Sequence, residues 1–291
     1  MFRKKRIHLK SFPFSGSAAK ITYFLFVACL FFGCSLSRET TPLREELPPP
    51  PEEVLERLFA SPPEEGFRGT AKISLEVPEG KYFRTAALVM KYPDCLRIEA
   101  LPLMGTPDLF LTADARFLKA YFPEENLFLV GRPTASNLYA LFRLYLTVPD
   151  VVSLLMGLPP GWGDPRLRYA AAWEGSLYRA DAFWDGEKIQ SLWIDLEKKR
   201  LTRYETGAWN GHPPFQVIFR EAVPVEGGGE VPGGISITLK EPVALFSTIR
   251  LIGLERVSTL PEDVFDLPVP QGAELRWMDG SVTGSEGEGA N

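Results

Sequence analysis

From Phe67 to Val130 apolar and polar residues alternate with a period of two, and every break in the pattern is short. Ala71, Ile73, Leu75 and Val77 alternate with Thr70, Lys72, Ser74 and Glu76, the signature of a strand with one buried face. After a turn at Pro78–Gly80, Tyr82–Tyr92 returns. Leu96, Ile98 and Ala100 then alternate with Arg97 and Glu99, and Leu109 and Leu111 open the next run. Phe117–Phe122 and Leu127–Val130 flank the turn Pro123–Asn126. Connections of hairpin length leave little choice but an antiparallel meander.

One connection has unusual chemistry. Leu101–Pro107 carries two prolines and a glycine, which end a ladder, yet its tip is Leu103 and Met104. Turns ordinarily place Asn, Asp or Gly there. An apolar tip is either folded back into the core or held out for a partner.

Strand patterns resume at Leu167–Trp173, Leu177–Trp184, Ile189–Leu196, Leu201–Trp209, Phe215–Ala222, Ile235–Lys240 and Ala244–Leu254, with hairpin signals at Asp185-Gly186 and Asn210-Gly211. Three helices interrupt or precede them. Pro51–Phe59 opens with proline and two acids, suited to a first turn. Ala135–Leu146 follows Thr134 as a cap and places Leu138, Leu141, Phe142 and Tyr145 on one side. Pro149–Met156 ends at Gly157 and carries Leu154 and Leu155. The expected fold is therefore mainly β with a few α-helices. A single antiparallel sheet of about eleven strands must curl to bury one face, with the helices covering the open side.

The flanks read differently. Residues 1–33 hold six basic residues and no acid, and Ile21–Gly33 is an apolar run too short to span a bilayer as a helix. This is the pattern of a secretory signal, and Gly33-Cys34 resembles the bacterial lipobox, where the cysteine after the cut becomes acylated. Cys29 offers an overlapping site; Cys34 is preferred because the residues from Ser35 onward are polar. Residues 34–51 end in four prolines and read as an extended tether. Residues 52–275 form one domain, and 276–291 read as a disordered tail rich in Gly, Ser and Glu. A chain beginning at Cys34 would hold 26 basic and 37 acidic residues, a net charge of −11 against −5 for the whole. That balance argues against nucleic acid as a partner. Cys95, the third cysteine, reads as a small core residue.

Catalytic motifs are absent. Only His8 and His212 are present, so His/Cys metal sites are not available. No Gly-x-Ser-x-Gly elbow and no phosphate-binding glycine loop occurs. A pair of carboxylates remains the one enzymatic route that sequence leaves open. The expectation is a non-enzymatic protein without a cofactor, and its apolar interior under short helices favours a greasy ligand.

Phe67–Ser74 (FRGTAKIS), Leu96–Gly105 (LRIEALPLMG) and Leu154–Pro160 (LLMGLPP), in that order behind a lipobox, resemble the LolB-like outer-membrane lipoproteins. The resemblance spans roughly residues 53–220. It implies an unclosed antiparallel β-barrel with a helical lid over an apolar cavity. It also implies receipt of acylated lipoproteins from a LolA-like periplasmic carrier, insertion into outer-membrane lipid, and a monomer anchored to the outer membrane and facing the periplasm. The family's protruding leucine would correspond to Leu103, with Met104 an inserted neighbour that divides the assignment. Arg68 matches the arginine before the first-strand glycine, with an implied cavity or lid role. Leu138, Leu141, Phe142, Leu154 and Leu155 would belong to the cavity or lid. A longer tether and glycine-rich insertions beyond Ala222 depart from the family pattern. They keep open a structural lipoprotein with a filled core, or a binder of another lipid.

Overall fold

The computed structural model describes residues 47–59, 64–102, 106–208, 213–239 and 244–279. The chain divides after Pro42, and every described residue lies in the unit Leu43–Asn291. The expectations for the leader, Cys29, Cys34, Leu103, Met104 and His212 lie outside the described residues.

Helix α1 (Pro51–Phe59) opens on proline, whose missing N–H costs nothing in a first turn, followed by Glu52 and Glu53 at the positive end of the helix dipole. Val54, Leu55 and Phe59 share its buried face. Burial of each such side chain contributes about 1.5–3 kcal/mol. The strands β1 (Gly66–Val77), β2 (Gly80–Lys91), β3 (Cys95–Leu101), β4 (Leu109–Ala113), β5 (Leu118–Phe122) and β6 (Leu127–Gly131) form the expected meander.

Helices α2 (Ala135–Phe142) and α3 (Val148–Leu155) come next. The Thr134 hydroxyl accepts from the Asn137 N–H at the start of α2, and Arg143 in a left-handed conformation caps the helix after Phe142, four residues before the expected Leu146. Helix α3 begins with a reciprocal capping box: the Thr147 N–H donates to Asp150 Oδ2 at 2.9 Å, and the Asp150 N–H donates to Thr147 Oγ1 at 3.3 Å.

The second run comprises β7 (Arg168–Glu174), β8 (Leu177–Trp184), β9 (Glu187–Asp195), β10 (Arg200–Thr206), β11 (Phe215–Phe219), β14 (Gly234–Leu239) and β15 (Leu245–Val257). A small separate hairpin, β12 (Ala222–Pro224) and β13 (Glu230–Pro232), occupies the glycine-rich stretch between β11 and β14. Strand β15 pairs with both β14 and β1, so it joins the late strands to the early meander. A last strand, β16 (Glu274–Trp277), adds to β6 in parallel.

The result is one sheet of fourteen strands in the order β16-β6-β5-β4-β3-β2-β1-β15-β14-β11-β10-β9-β8-β7. Its end strands β16 and β7 do not pair with each other, so it is unclosed. The architecture is the expected one, while the strand count exceeds the eleven anticipated. Strand β16 straddles the boundary expected at 275. Its pairing partner lies some 150 residues earlier, which no local pattern reveals.

Two apolar layers result. The larger packs the helices against one face of the sheet. The smaller sits on the opposite face, where Leu267 covers Phe128 and Val130, flanked by Phe110 and Tyr121. The segment that carries Leu267 is stitched to that face by Arg97, whose Nη1 donates to the Val264 carbonyl at 2.8 Å, and by a Lys119–Asp266 ion pair of 2.6 Å. Truncating a buried phenylalanine removes transfer energy and leaves a cavity. Phe128→Ala is expected to destabilise the body by about 3–5 kcal/mol in a urea unfolding titration.

Candidate functional site

The register of the ladders defines the helix-covered face. Residues directly opposite one another share a face, so Ala71 aligns with Ala86, Ala100 and Leu109. On the other wing Ala171, Ala180, Leu192 and Tyr204 align. Alanine recurs on this face: Ala86, Ala113, Ala120, Ala180 and Ala182 are all buried there. Small side chains let the helices approach the strands closely, and the larger residues Leu88, Met90, Leu111 and Leu192 fill the gaps between them.

Two buried tyrosine hydroxyls on this face are paired. The Tyr178 hydroxyl donates to the Pro49 carbonyl at 2.8 Å, which ties the end of the proline-rich segment to β8. The Tyr204 hydroxyl donates to Gln190 Oε1 at 2.8 Å. Burial pushes the Tyr178 and Tyr169 phenols up to about 12 and raises Tyr204 further. These rings therefore stay uncharged at any physiological pH, and the face remains apolar.

The helical residues singled out from the sequence do meet this face. Leu138, Leu154 and Leu155 are buried in its core, and Leu141 and Phe142 are half-buried against it. Arg68 is not with them. It follows Phe67, which is buried, and alternation turns Arg68 to the opposite face. There its side chain is 63% exposed and pairs with Glu255 of β15. The cavity or lid position expected for Arg68 is thus corrected. The period of two already carried that signal, since Arg68 stands between two inward positions.

A charged residue that the sequence reading passed over faces inward at one end of the sheet. Arg84 aligns with Ile73 at the end of the face nearest the β3–β4 connection. Its Nε donates to Asp108 Oδ2 at 2.7 Å and its Nη1 to the Phe83 carbonyl at 2.9 Å. The Asp108 N–H donates to the Ala100 carbonyl at 3.1 Å. The root of the connection that carries Leu103 and Met104 is therefore held firmly on both sides. A depression of about 960 Å³ borders it, lined in part by Ile73, Arg84, Leu101, Pro102 and Pro107. The same end of the sheet exposes Tyr82 (50%), Phe83 (65%), Leu101 (37%) and Phe246 (42%).

The space between helices and sheet is small. A cavity of about 160 Å³ lies between the α2–α3 connection and β9–β11, and one of about 260 Å³ lies by the β12–β13 hairpin. Both fall below the roughly 300–1,000 Å³ of typical ligand pockets. In this structure the helices themselves occupy the concavity, so a long ligand chain could enter only as they move. Among the described residues no cluster of His, Cys, Asp or Glu could hold a metal ion, and no helix is long and apolar enough to cross a membrane.

This arrangement defines a class: a half-open antiparallel barrel whose apolar face is covered by short helices. It is the fold of LolA-like proteins. The structure is similar to that of a LolA superfamily protein from Nitrosomonas europaea, at 11% identity and a TM-score of 0.53 over 76% of this chain and 99% of that one. It is also similar to a DUF1329 family protein from Desulfovibrio piger, at 14% identity and a TM-score of 0.56 over 74% and 95%. At such identities the likeness is one of fold. No family model and no curated protein matches the sequence.

Cys95 behaves as a structural thiol. Burial, with Asp94 beside it, pushes it up to about 11. Because the thiolate is the reactive form, labelling of Cys95 in a chain with Cys29 and Cys34 changed to serine should be roughly a hundred-fold slower at pH 8 than that of an ordinary free thiol. The rate should climb as pH approaches 11. Labelling already saturated at pH 8 would contradict this.

Proposed function

We propose that this chain is a lipid-anchored outer-membrane protein that binds the acyl chains of lipoproteins on its helix-covered face and helps insert them into the membrane. One observation carries the reading. An extended apolar face, with neutral, paired hydroxyls, is covered by helices of only eight or nine residues. Each methylene that leaves water for such a face gains about 0.8 kcal/mol. An acyl chain could therefore displace a short helix whose own apolar residues have the same affinity for the face.

The exposed Tyr82, Phe83, Leu101 and Phe246 support membrane contact at the end that carries Leu103 and Met104. Aromatic side chains suit the headgroup level of a bilayer. Acylation at Cys34 would hold the protein at its target membrane, and a LolA-like carrier would supply the cargo. The reading involves no chemical transformation, and the protein is proposed not to be an enzyme.

The small volumes between helices and sheet favour a second reading, a structural lipoprotein whose core is permanently filled. The two differ in a measurable way. Under the transfer reading, a fluorescent fatty acid binds the chain, and Leu103→Glu with Met104→Glu stops delivery of acylated lipoproteins to outer-membrane vesicles without lowering the melting temperature. If the probe does not bind and the double variant delivers normally, the filled-core reading stands instead.

A further inference from the structure

The cavity beside β12–β13 is chemically unlike the rest of the molecule. Its floor is apolar, made by Leu58 and Phe59 of α1, Phe67 of β1, Met156 after α3, Leu201 of β10 and Val231 of β13. Its lining also includes Lys198, Lys199, Arg200, Arg220 and Arg256, against the single carboxylate Glu230. Five cations converge in a chain whose net charge is −5. Two of them have acidic neighbours: Asp195 lies 3.8 Å from Lys198, and Glu65 lies 3.6 Å from Arg256. Among the described residues Lys199, Arg200 and Arg220 form no ion pair.

The cavity is built, not a gap between loose segments. The Glu226 N–H donates to the Leu254 carbonyl at 3.1 Å, and the Arg256 N–H donates to the Glu226 carbonyl at 2.8 Å, so the hairpin is locked to the end of β15. Gly227 and Gly229 have φ of +92° and +87°, and a Cβ on either would lie 3.1 Å from the Arg256 side chain. Glycine at these two positions makes the room that Arg256 occupies. Arg256 Nε is buried and lacks a hydrogen-bond partner within the protein. A buried donor in that state is costly unless an acceptor arrives.

We propose that this cavity binds the negatively charged headgroup of an amphiphile, a phosphate or carboxylate attached to an apolar chain. The guanidinium groups of Arg200, Arg220 and Arg256 supply charge-assisted hydrogen bonds to the headgroup. The floor takes the first part of the chain. A cavity of about 260 Å³ holds a headgroup and a short stretch of chain, not a whole acyl tail. Like charges gathered around a low-dielectric cleft focus the field on an incoming anion. The site lies by Phe67, six residues along β1 from Ile73, roughly 20 Å. It is therefore distinct from the end of the sheet that carries Leu103 and Met104, and it does not depend on the transfer reading above.

Calorimetric titration of the full chain, unacylated through Cys29→Ser and Cys34→Ser, tests the site. The ligands are dodecyl phosphate below its micellar concentration, dodecyl maltoside and inorganic phosphate. Dodecyl phosphate is expected to bind at least ten-fold more tightly than either of the others. Arg200→Ala with Arg220→Ala should erase that preference while leaving dodecyl maltoside binding and the melting temperature as they were. Lys199→Glu, on an exposed turn, should weaken dodecyl phosphate several-fold and serves if the double variant does not fold. Sedimentation with phosphatidylglycerol vesicles separates the sources. Capture that is lost in the double variant means that the headgroup is met in a bilayer. Dodecyl phosphate binding without capture means that a dispersed amphiphile is the ligand. Equal affinity for dodecyl phosphate and dodecyl maltoside, equal affinity for inorganic phosphate, or unchanged binding by the folded variants would overturn the proposal.

Discussion

An unclosed sheet has an apolar face that water must not reach, and the rest of this molecule follows from how that face is covered. A closed barrel would bury its interior by itself. Here the end strands β7 and β16 stay apart, so the chain has to supply a separate cover. It does so with three helices of eight or nine residues. Isolated helices of that length are marginal in water. Each is stable because its apolar residues are buried on the sheet, and each is fixed at its start by a cap or a favourable first turn. Cover and face therefore stabilise each other.

The sheet's two free edges are handled differently. Strand β16 ends the sheet with Glu274, Leu275, Arg276 and Trp277, all exposed, and a Glu274–Arg276 ion pair of 2.6 Å runs along it. It is short, and charge on a short edge discourages further pairing. On the other side β7 lies next to α1 and the Pro49 carbonyl held by Tyr178. The segment that enters the body from the proline-rich stretch thus also shelters an edge. On the outer face, Leu267 and its neighbours cover Phe128 and Val130, which would otherwise leave aromatic surface open on the side away from the helices.

The sheet also separates charge from apolar surface. The helix-covered face is uncharged over most of its extent and meets charge near its two ends: Arg84, neutralised by Asp108, at one, and the basic cluster around Phe67, which includes its cross-strand partner Arg256, at the other. The apolar β3–β4 connection and the cationic cavity are thus set apart along one strand.

Much of this was legible in the chain itself. Period-two alternation located the strands, β8 to the residue, and helical spacing located α1 to the residue, because a half-buried strand or helix must show its face in the sequence. Thr134 announced its cap, and Asp185-Gly186 its hairpin. The same period placed Arg68 opposite Phe67, although the family resemblance pointed elsewhere; the local physics was the better guide. What the sequence did not carry was whatever depends on distant residues meeting. Strand β16 pairs with β6 across some 150 residues. Lys199, Arg200, Arg220 and Arg256 read one by one as ordinary surface charges in turns and strand ends, and only the pairing of β15 with β1 and the docking of the β12–β13 hairpin bring them around one cavity. Local periodicity records which side of an element is apolar. It holds no record of which apolar sides meet, because that is set by packing across the whole chain.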